Sequence, residues 1–169
     1  GRLTMKDKQI IVLMGGPSKE AEVSRRTGAA IAEALVSKGY KAQTLELNPR
    51  TVLQDIDSLG GEVVFNAIHG RYGEDGALQG LLEMAEIPYT GSGIMAHAVG
   101  MNKKVSKDVF KGANIPTARS ESYNGNLESA DAIIDHIRKE FTIPVVVKSA
   151  TQGSSIGVTI VREESQLEA

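Results

Sequence analysis

The segment HGRYGEDG, at residues 69–76, has a composition that suits chemistry better than core packing. His69 ends an apolar stretch, and three glycines and two carboxylates follow it. An imidazole can donate, accept or transfer a proton near neutral pH, and glycines let backbone N–H groups approach a substrate closely. A histidine here can also be a purely structural hydrogen-bonding residue. The glycines and carboxylates favour a site that surrounds a small polar substrate.

The acidic pair in this segment has two possible roles. Glu74 and Asp75 could ligate a metal ion, or they could cap the helix that we predict from about Ala77. Asp75-Gly76 stands where the cap of that helix belongs, so we favour the cap.

A second segment, GGPSKEAEVS at residues 15–24, follows another apolar run. Its glycines allow a tight turn, and the helix start offers free N–H groups that attract anions. It matches neither the dinucleotide-binding nor the phosphate-loop motif. The simpler interpretation is that Ser18 caps the helix while Glu20 and Glu22 complement its dipole.

Lysines mark the remaining candidate site. Lys148 ends a β-branched run directly before the small-residue loop at residues 149–157. A lysine there can bind phosphate as a point charge while loop N–H groups and hydroxyls surround the oxygens. Lys103, Lys104 and Lys107 cluster on one predicted helix, where we expect at least two of them to belong to a solvated face.

The elements that must position these groups begin as a β-α succession. We predict strands at residues 9–14, 42–47, 63–68 and 87–90, and helices at residues 19–38 and 77–85. The first helix should bury the stripe Val23, Thr27, Ala30, Ile31, Ala34 and Leu35. This succession predicts an α/β fold with a Rossmann-like parallel sheet and helices on both faces.

The pattern changes near residue 100, which divides the chain into predicted domains 1–100 and 101–169. Asn102 can cap a helix through Lys111, and residues 127–141 form an amphipathic helix. Residues 144–148 and 158–161 predict an antiparallel hairpin, and a further helix should begin at residue 163. Because two strands and one helix make a marginal domain, we expect the second domain to be incomplete.

Composition excludes several functional classes. The formal charge of −2 is unsuited to the broad positive field of a nucleic-acid-binding protein, and aromatic residues make up only 4%. No apolar run approaches the roughly 20 residues that span a bilayer. The chain has no cysteine, which agrees with a reducing compartment. We therefore expect a cytoplasmic protein that binds neither nucleic acid nor membrane.

The motifs, taken in this order, resemble those of the D-alanine–D-alanine ligases of the ATP-grasp superfamily. The resemblance extends from Ile10 to Val161 and departs from the family at Ser149, where the family usually has proline. It rests on residues 15–24, 69–76, 78–80, 87–93, 101–103 and 148–157.

The resemblance implies a fold and a reaction. The fold would be an N-terminal pre-ATP-grasp domain followed by the first, incomplete part of an ATP-grasp domain. The family joins two D-alanines for peptidoglycan synthesis, using ATP and Mg²⁺ and passing through an acyl phosphate, and it is expected to form homodimers. The family's metal ligands would lie beyond the end of this chain, so we expect the chain alone not to ligate.

The resemblance also implies roles for individual residues. Glu20 matches the carboxylate that holds the first substrate's ammonium, and His69 matches the imidazole near that substrate's carboxylate. Lys103 and Lys148 match the lysines that bind ATP phosphates. Ser154, with Ser155 beside it in the phosphate loop, matches the serine that links that loop to Glu20.

Two other interpretations stay open from the sequence. The chain could be a non-catalytic half-protein that binds a D-amino acid or a nucleotide and pairs with another chain. It could also belong to a different carboxylate–amine ligase or to a D-alanine–D-lactate ligase. The sequence leaves the D-lactate ligase open because most of the second-substrate pocket is missing. The encoded length of the native polypeptide would separate a fragment from a freestanding half.

Overall fold

A computed structural model describes residues 4–168 of the chain. The chain divides into two compact units, Gly1–Met101 and Asn102–Ala169. Each unit has its own sheet, which is parallel in the first and antiparallel in the second.

The sheet of the first unit contains three parallel strands in the order β2-β1-β3. They are β1 Gln9–Met14, β2 Lys41–Glu46 and β3 Val63–Asn66. The central strand, β1, carries four consecutive buried residues because both of its faces are covered. The predicted parallel sheet is confirmed.

The prediction of a strand at residues 87–90 is wrong. Only an isolated bridge joins Val64 to Tyr89. Val64 N–H donates to the Pro88 carbonyl at 2.9 Å, and Thr90 N–H donates to the Val64 carbonyl at 3.1 Å. The ladder cannot extend, because Pro88 has no N–H to donate and the chain turns at Gly91 with φ of +107°.

The α-helices of the first unit are α1 Ala21–Ser37, α2 Val52–Ser58, α3 Ala77–Met84 and α4 Ile94–Gly100. Helix α1 packs on one face of the sheet, α2 and α3 pack on the other, and α4 contacts α3. Side chains alternate along β1, so Ile11 and Leu13 join one core cluster and Ile10 and Val12 join the other. The seven-residue helices α2 and α4 are not predicted by the sequence, since their apolar patterns are too short to show a helical period.

The buried face of α1 differs from the predicted one. Thr27, Ile31 and Leu35 turn inward as predicted, and they share the face with the buried residues Ser24 and Gly28. The prediction is wrong for three residues that are exposed, namely Val23, Ala30 and Ala34. A Cβ atom at Gly28 would lie 2.6 Å from the Met14 Cβ. Small residues therefore line the face that approaches the sheet most closely, which an apolar periodicity cannot show.

A buried hydroxyl joins α1 to the ends of two strands. Ser24 is fully buried, and its Oγ donates to the Ala67 carbonyl at 2.6 Å. The same Oγ accepts the Gly15 N–H at 2.8 Å. Gly15 follows β1 and Ala67 follows β3, so one side chain fixes both strand ends relative to the helix.

The second unit contains α5 Lys103–Gly112, α6 Ala130–Glu140, β4 Val145–Lys148 and β5 Val158–Val161. Asn102 caps α5 as predicted, since its side chain accepts the Val105 N–H at 3.1 Å. The antiparallel hairpin is also confirmed. Helix α6 begins three residues later than predicted because Ser129 caps it. The helix predicted from residue 163 is a short 3-10 helix, Glu164–Leu167, and residue 169 lies outside the described residues.

We expect Ser24→Ala to lower the free energy of unfolding by about 2–3 kcal/mol, because it leaves a buried N–H and a buried C=O without partners. Urea unfolding followed by circular dichroism measures the change. Ser37→Ala is the matched control, since it removes an exposed hydroxyl from the same helix and should change stability by about 0.5 kcal/mol or less. Equal losses for the two variants would contradict a structural role for the Ser24 bridge.

Candidate active site

The turn after β1 is held by a charged pair. Gly15 and Gly16 both have positive φ, at 73° and 85°, a conformation that glycine adopts without strain. The Glu46 carboxylate at the end of β2 accepts the Gly16 N–H at 3.2 Å and pairs with Arg25 at 2.9 Å. The Arg25 hydrogen bonds lower the pKa of Glu46, so the carboxylate stays ionised and holds the turn.

Ser18 and Glu20 follow this turn and begin α1. The Ser18 Oγ accepts the Glu20 N–H at 2.9 Å, but the prediction that Ser18 caps α1 is wrong, because the helix begins after Glu20. Glu20 occupies the N-cap position, but its side chain makes no capping hydrogen bond. Among the described residues its half-buried carboxylate has no hydrogen-bond or ion-pair partner. This carboxylate is therefore available to a ligand.

The loop at residues 69–76 brings a second motif to the same place. A Cβ atom at Gly70 would lie 2.7 Å from the Ser18 Oγ and 2.9 Å from a Glu20 carboxylate oxygen. Gly70 has φ of +74°, so only glycine fits both the space and the backbone conformation. His69 precedes it and lies 3.2 Å from the Thr27 hydroxyl through Nε2. The two glycine motifs thus meet.

Glu74 and Asp75 serve the backbone. The Glu74 carboxylate accepts the Gly70 N–H at 2.6 Å, and the Glu74 N–H donates to the Gly70 carbonyl at 3.1 Å. Asp75 Oδ1 accepts the Ala77 N–H at 3.1 Å at the start of α3. Asp75 thus supports the start of α3, although the N-cap position itself is occupied by Gly76. The cap interpretation is wrong for Glu74, whose carboxylate closes the loop on Gly70 instead.

Two amide side chains that the sequence did not single out support the loop from within. Asn66 Nδ2 and Gln79 Nε2 both donate to the Gly73 carbonyl, at 2.8 Å and 2.7 Å. Asn66 Oδ1 also accepts the Ile68 N–H at 3.1 Å. Gln79 is fully buried. A buried amide within the apolar pattern of α3 was the signal that could have identified it.

A cleft of about 340 Å³ opens beside His69. Polar side chains from several elements line it: Thr27, Asn66, His69, Glu74, Thr90 and His97. A cleft with a few convergent polar groups is the usual form of a small-molecule site. The cleft lies at the carboxyl end of β3, where the residues that follow this strand line it together with residues of α1 and α4.

In the second unit, Lys103 contacts the small-residue loop. Its backbone N–H donates to the Ala150 carbonyl at 2.9 Å, and its Nζ donates to the Gln152 carbonyl at 2.6 Å. The loop base is closed by a hydrogen bond of 2.8 Å from Ser149 N–H to the Gly157 carbonyl. Lys103 therefore lies against the loop that the sequence predicts to bind phosphate.

The other residues of this predicted phosphate site are exposed. Lys148 ends β4 directly before the loop, and Ser154 and Ser155 lie at its tip. Ser154 has φ of +53°. None of these three side chains has a hydrogen-bond partner within residues 4–168. They are free to contact a ligand.

The two neighbouring lysines on α5 have structural partners. Lys107 Nζ donates to the Thr117 hydroxyl at 3.0 Å and to the Ala118 carbonyl at 2.6 Å. Lys104 is exposed and pairs with Asp108 at 2.7 Å. Of the three clustered lysines, Lys103 is thus the one that contacts the loop.

The described residues contain no group of three or more His, Asp or Glu side chains that could hold a metal ion. Mg²⁺ prefers carboxylate oxygens in octahedral geometry, so this part of the chain does not fit a Mg²⁺ site by itself. In residues 4–168, no helix has both the length and the apolar character needed to cross a bilayer.

Comparison with known proteins gives a consistent result. The family model described as D-ala D-ala ligase N-terminus matches residues 46–92, and the one described as D-ala D-ala ligase C-terminus matches residues 109–169. A D-alanine–D-alanine ligase from Moorella thermoacetica is 46% identical over 166 residues, which cover 95% of this chain and 52% of that protein. The ligase from Geotalea uraniireducens is 46% identical over 98% of this chain and 51% of its own length.

Solved structures agree with these relatives. The D-alanine–D-alanine ligase from Bacillus anthracis superposes with a TM-score of 0.74 at 32% identity, covering 95% of this chain and 51% of that one. The structure of a Bacillus anthracis ligase complexed with ATP gives a TM-score of 0.70 at 31% identity, over 95% of this chain and 52% of its own. The chain spans about half the length of the curated relatives it matches. It belongs to the D-alanine–D-alanine ligase family.

Proposed function

We propose that this chain is part of an ATP-dependent ligase that joins two D-alanines for peptidoglycan precursors. Residues 1–100 would be its pre-ATP-grasp domain and residues 101–169 a part of its ATP-grasp domain. The observation that carries the proposal is the unpaired Glu20 carboxylate, which lies against Gly70 beside His69. Because the relatives are about twice as long, we expect the 169-residue chain alone not to ligate.

The first unit would bind the first D-alanine. A zwitterionic amino acid needs an anion for its ammonium and a donor for its carboxylate. Glu20 supplies the anion, and His69 supplies the imidazole for the carboxylate. The unpaired state of Glu20 supports this role, because a half-buried carboxylate is expensive to leave without a partner.

The second unit would bind the phosphates of ATP. Lys103, which donates to the Gln152 carbonyl of the loop, and Lys148, which directly precedes the loop, would supply positive charge, and Ser154 and Ser155 would supply hydroxyls. In the reaction, the first D-alanine carboxylate attacks the γ-phosphorus and ADP leaves, giving an acyl phosphate. The amine of the second D-alanine then attacks that carbonyl, and phosphate leaves. The lysines offset the repulsion between a carboxylate and a polyphosphate.

The small residues of the loop at residues 149–157 would allow it to close over the ATP phosphates. An acyl phosphate is lost if water reaches it, so the loop must exclude water after ATP binds. Gly153 and Gly157 give the backbone the freedom to close, and Ser154 would then link the loop to Glu20. The Lys103 ammonium donates to the Gln152 carbonyl of this loop.

Further properties follow from the same proposal. Mg²⁺ would neutralise the phosphates, with ligands in the part of the family's length that this chain does not span. We place the ligase in the cytoplasm, without nucleic-acid or membrane partners, in keeping with the absence of cysteine and the net charge of −2. A homodimer is supported by Met84 on α3 and Met95 on α4, which are 88% and 80% exposed on two helices in mutual contact.

In the complete ligase, we expect Glu20→Gln to raise the KM for D-alanine about 10- to 100-fold, because a charge-assisted hydrogen bond to the ammonium is lost. The KM for ATP should stay within about twofold. Glu22→Gln is the matched control, with the same change two residues away at an exposed position paired with Arg25. Equal effects on both substrates would make Glu20 a structural residue of the helix start.

We expect Lys148→Ala to raise the KM for ATP by about tenfold or more, because a charge-assisted phosphate contact is removed. Steady-state kinetics at saturating D-alanine measure this effect. Lys139→Ala, at an exposed position on α6, should leave ATP use unchanged. Unchanged ATP kinetics in Lys148→Ala would remove this lysine from the site.

We expect Met95→Glu to weaken self-association of the complete ligase at least about tenfold, because a charge would enter an apolar contact. Sedimentation velocity over a concentration series measures the dimer fraction. Val36→Glu on α1, where Val36 is 56% exposed, is the control. A dimer that tolerates Met95→Glu as well as Val36→Glu does not use this face.

A further inference from the structure

Helix α4 packs against the loop that carries His69. A Cβ atom at Gly76 would lie 2.9 Å from the Ile94 carbonyl at the start of this helix. One turn later, His97 Nδ1 lies 3.2 Å from the Glu74 carbonyl oxygen. Helix α4 thus contacts the loop at two points, of which the second uses a titratable side chain that the proposed reaction does not employ.

The partners of His97 fix its tautomer. A carbonyl oxygen can only accept a hydrogen bond, so Nδ1 must carry the proton. Nε2 is then a bare acceptor, and it is buried without a hydrogen-bond partner among the described residues. A Cβ atom at Gly91 would lie 3.5 Å from Nε2, which is ordinary van der Waals contact, so Gly91 lies beside this face of the ring. The ring is held by its single hydrogen bond to the loop and by packing.

Glu74 connects His97 to the backbone beside His69. Its backbone carbonyl accepts from His97, while its carboxylate and N–H both bond to Gly70. Gly70 is bonded covalently to His69 and lies against Glu20. Three consecutive steps therefore connect His97 to the two groups assigned to the first substrate.

We propose that His97 is a positioning residue, which fixes the His69–Gly70 backbone through the Glu74 carbonyl. It does not touch the substrate in this account. The inference deepens the proposed function, since it rests on His69 and Glu20 being the first-substrate groups. His97 also lines the cleft beside His69, so its loss would open the wall that shapes that cleft.

Three substitutions separate the hydrogen bond from side-chain volume. His97→Asn keeps a donor, because the Asn Nδ2 occupies nearly the place of the imidazole Nδ1. His97→Gln carries its amide one bond further, towards the place of Nε2, and should not reach the Glu74 carbonyl. His97→Leu keeps an apolar side chain without any donor. We expect the loop at residues 69–76 to be most rigid in the wild type, less rigid in His97→Asn, and least rigid in His97→Gln and His97→Leu.

Nuclear magnetic resonance on the chain measures the effect directly. In the wild type, the ¹⁵N shifts of the His97 ring should show a protonated Nδ1 and a bare Nε2. Amide exchange at Gly70, whose N–H is held by Glu74, should be about tenfold faster in His97→Leu and His97→Gln. It should stay within about threefold of wild type in His97→Asn. The His69 ring signals should shift or broaden in His97→Leu and in His97→Gln, and they should stay close to wild type in His97→Asn.

Two results would overturn the proposal. A wild-type ring with its proton on Nε2 removes the bond to Glu74, and this result does not require any variant to fold. Gly70 exchange that is equally fast in His97→Asn and His97→Leu would show that volume, and not the donor, matters. Neither measurement uses a substrate, so the proposal can fail while D-alanine still binds. D-alanine binding can likewise fail while the exchange result holds.

Discussion

The Ser24 hydroxyl is the interaction on which the candidate site depends. It is fully buried and bonds to the backbone directly after β1 and directly after β3. Parallel strands bring their carboxyl ends to one edge, but they leave the following loops free to diverge. Ser24 on α1 bonds to the first residue after each of these strands. The turn that leads to Glu20 and the loop that carries His69 therefore leave the sheet side by side. The two hydrogen bonds of this buried hydroxyl thus hold the loops after β1 and β3 next to each other.

The loops are then fixed by their own polar groups. Glu74 closes the His69 loop on Gly70, while Asn66 and Gln79 hold the Gly73 carbonyl from inside. These bonds satisfy the backbone without using Glu20, whose carboxylate stays unpaired beside Gly70. Among the described residues the buried Gln79 Oε1 also lacks a hydrogen-bond partner, so Gln79 supports the loop through its Nε2 alone. In the second unit, the Lys103 ammonium donates to the loop backbone, while Lys148 has no side-chain partner within residues 4–168.

Much of this could be predicted from the sequence because the signals were local. The strands β1 to β3, the capped helix α5 and the hairpin all show clear patterns or caps. The inward face of α1 could not, because Ser24 and Gly28 face the sheet for reasons of space and hydrogen bonding that hydrophobicity does not record. The roles of Gln79 and His97 could not be predicted for a similar reason, since each side chain donates a hydrogen bond to a backbone carbonyl that only the fold brings near.

The central claim is that the two glycine motifs form one D-alanine subsite. Titration of D-alanine into the ¹⁵N-labelled chain, followed by two-dimensional nuclear magnetic resonance, tests it most directly. The account predicts that the largest amide shifts fall on Glu20, His69 and Gly70, and that L-alanine at the same concentration produces much smaller ones. Shifts that spread evenly over the chain, or that are the same for both enantiomers, would contradict it.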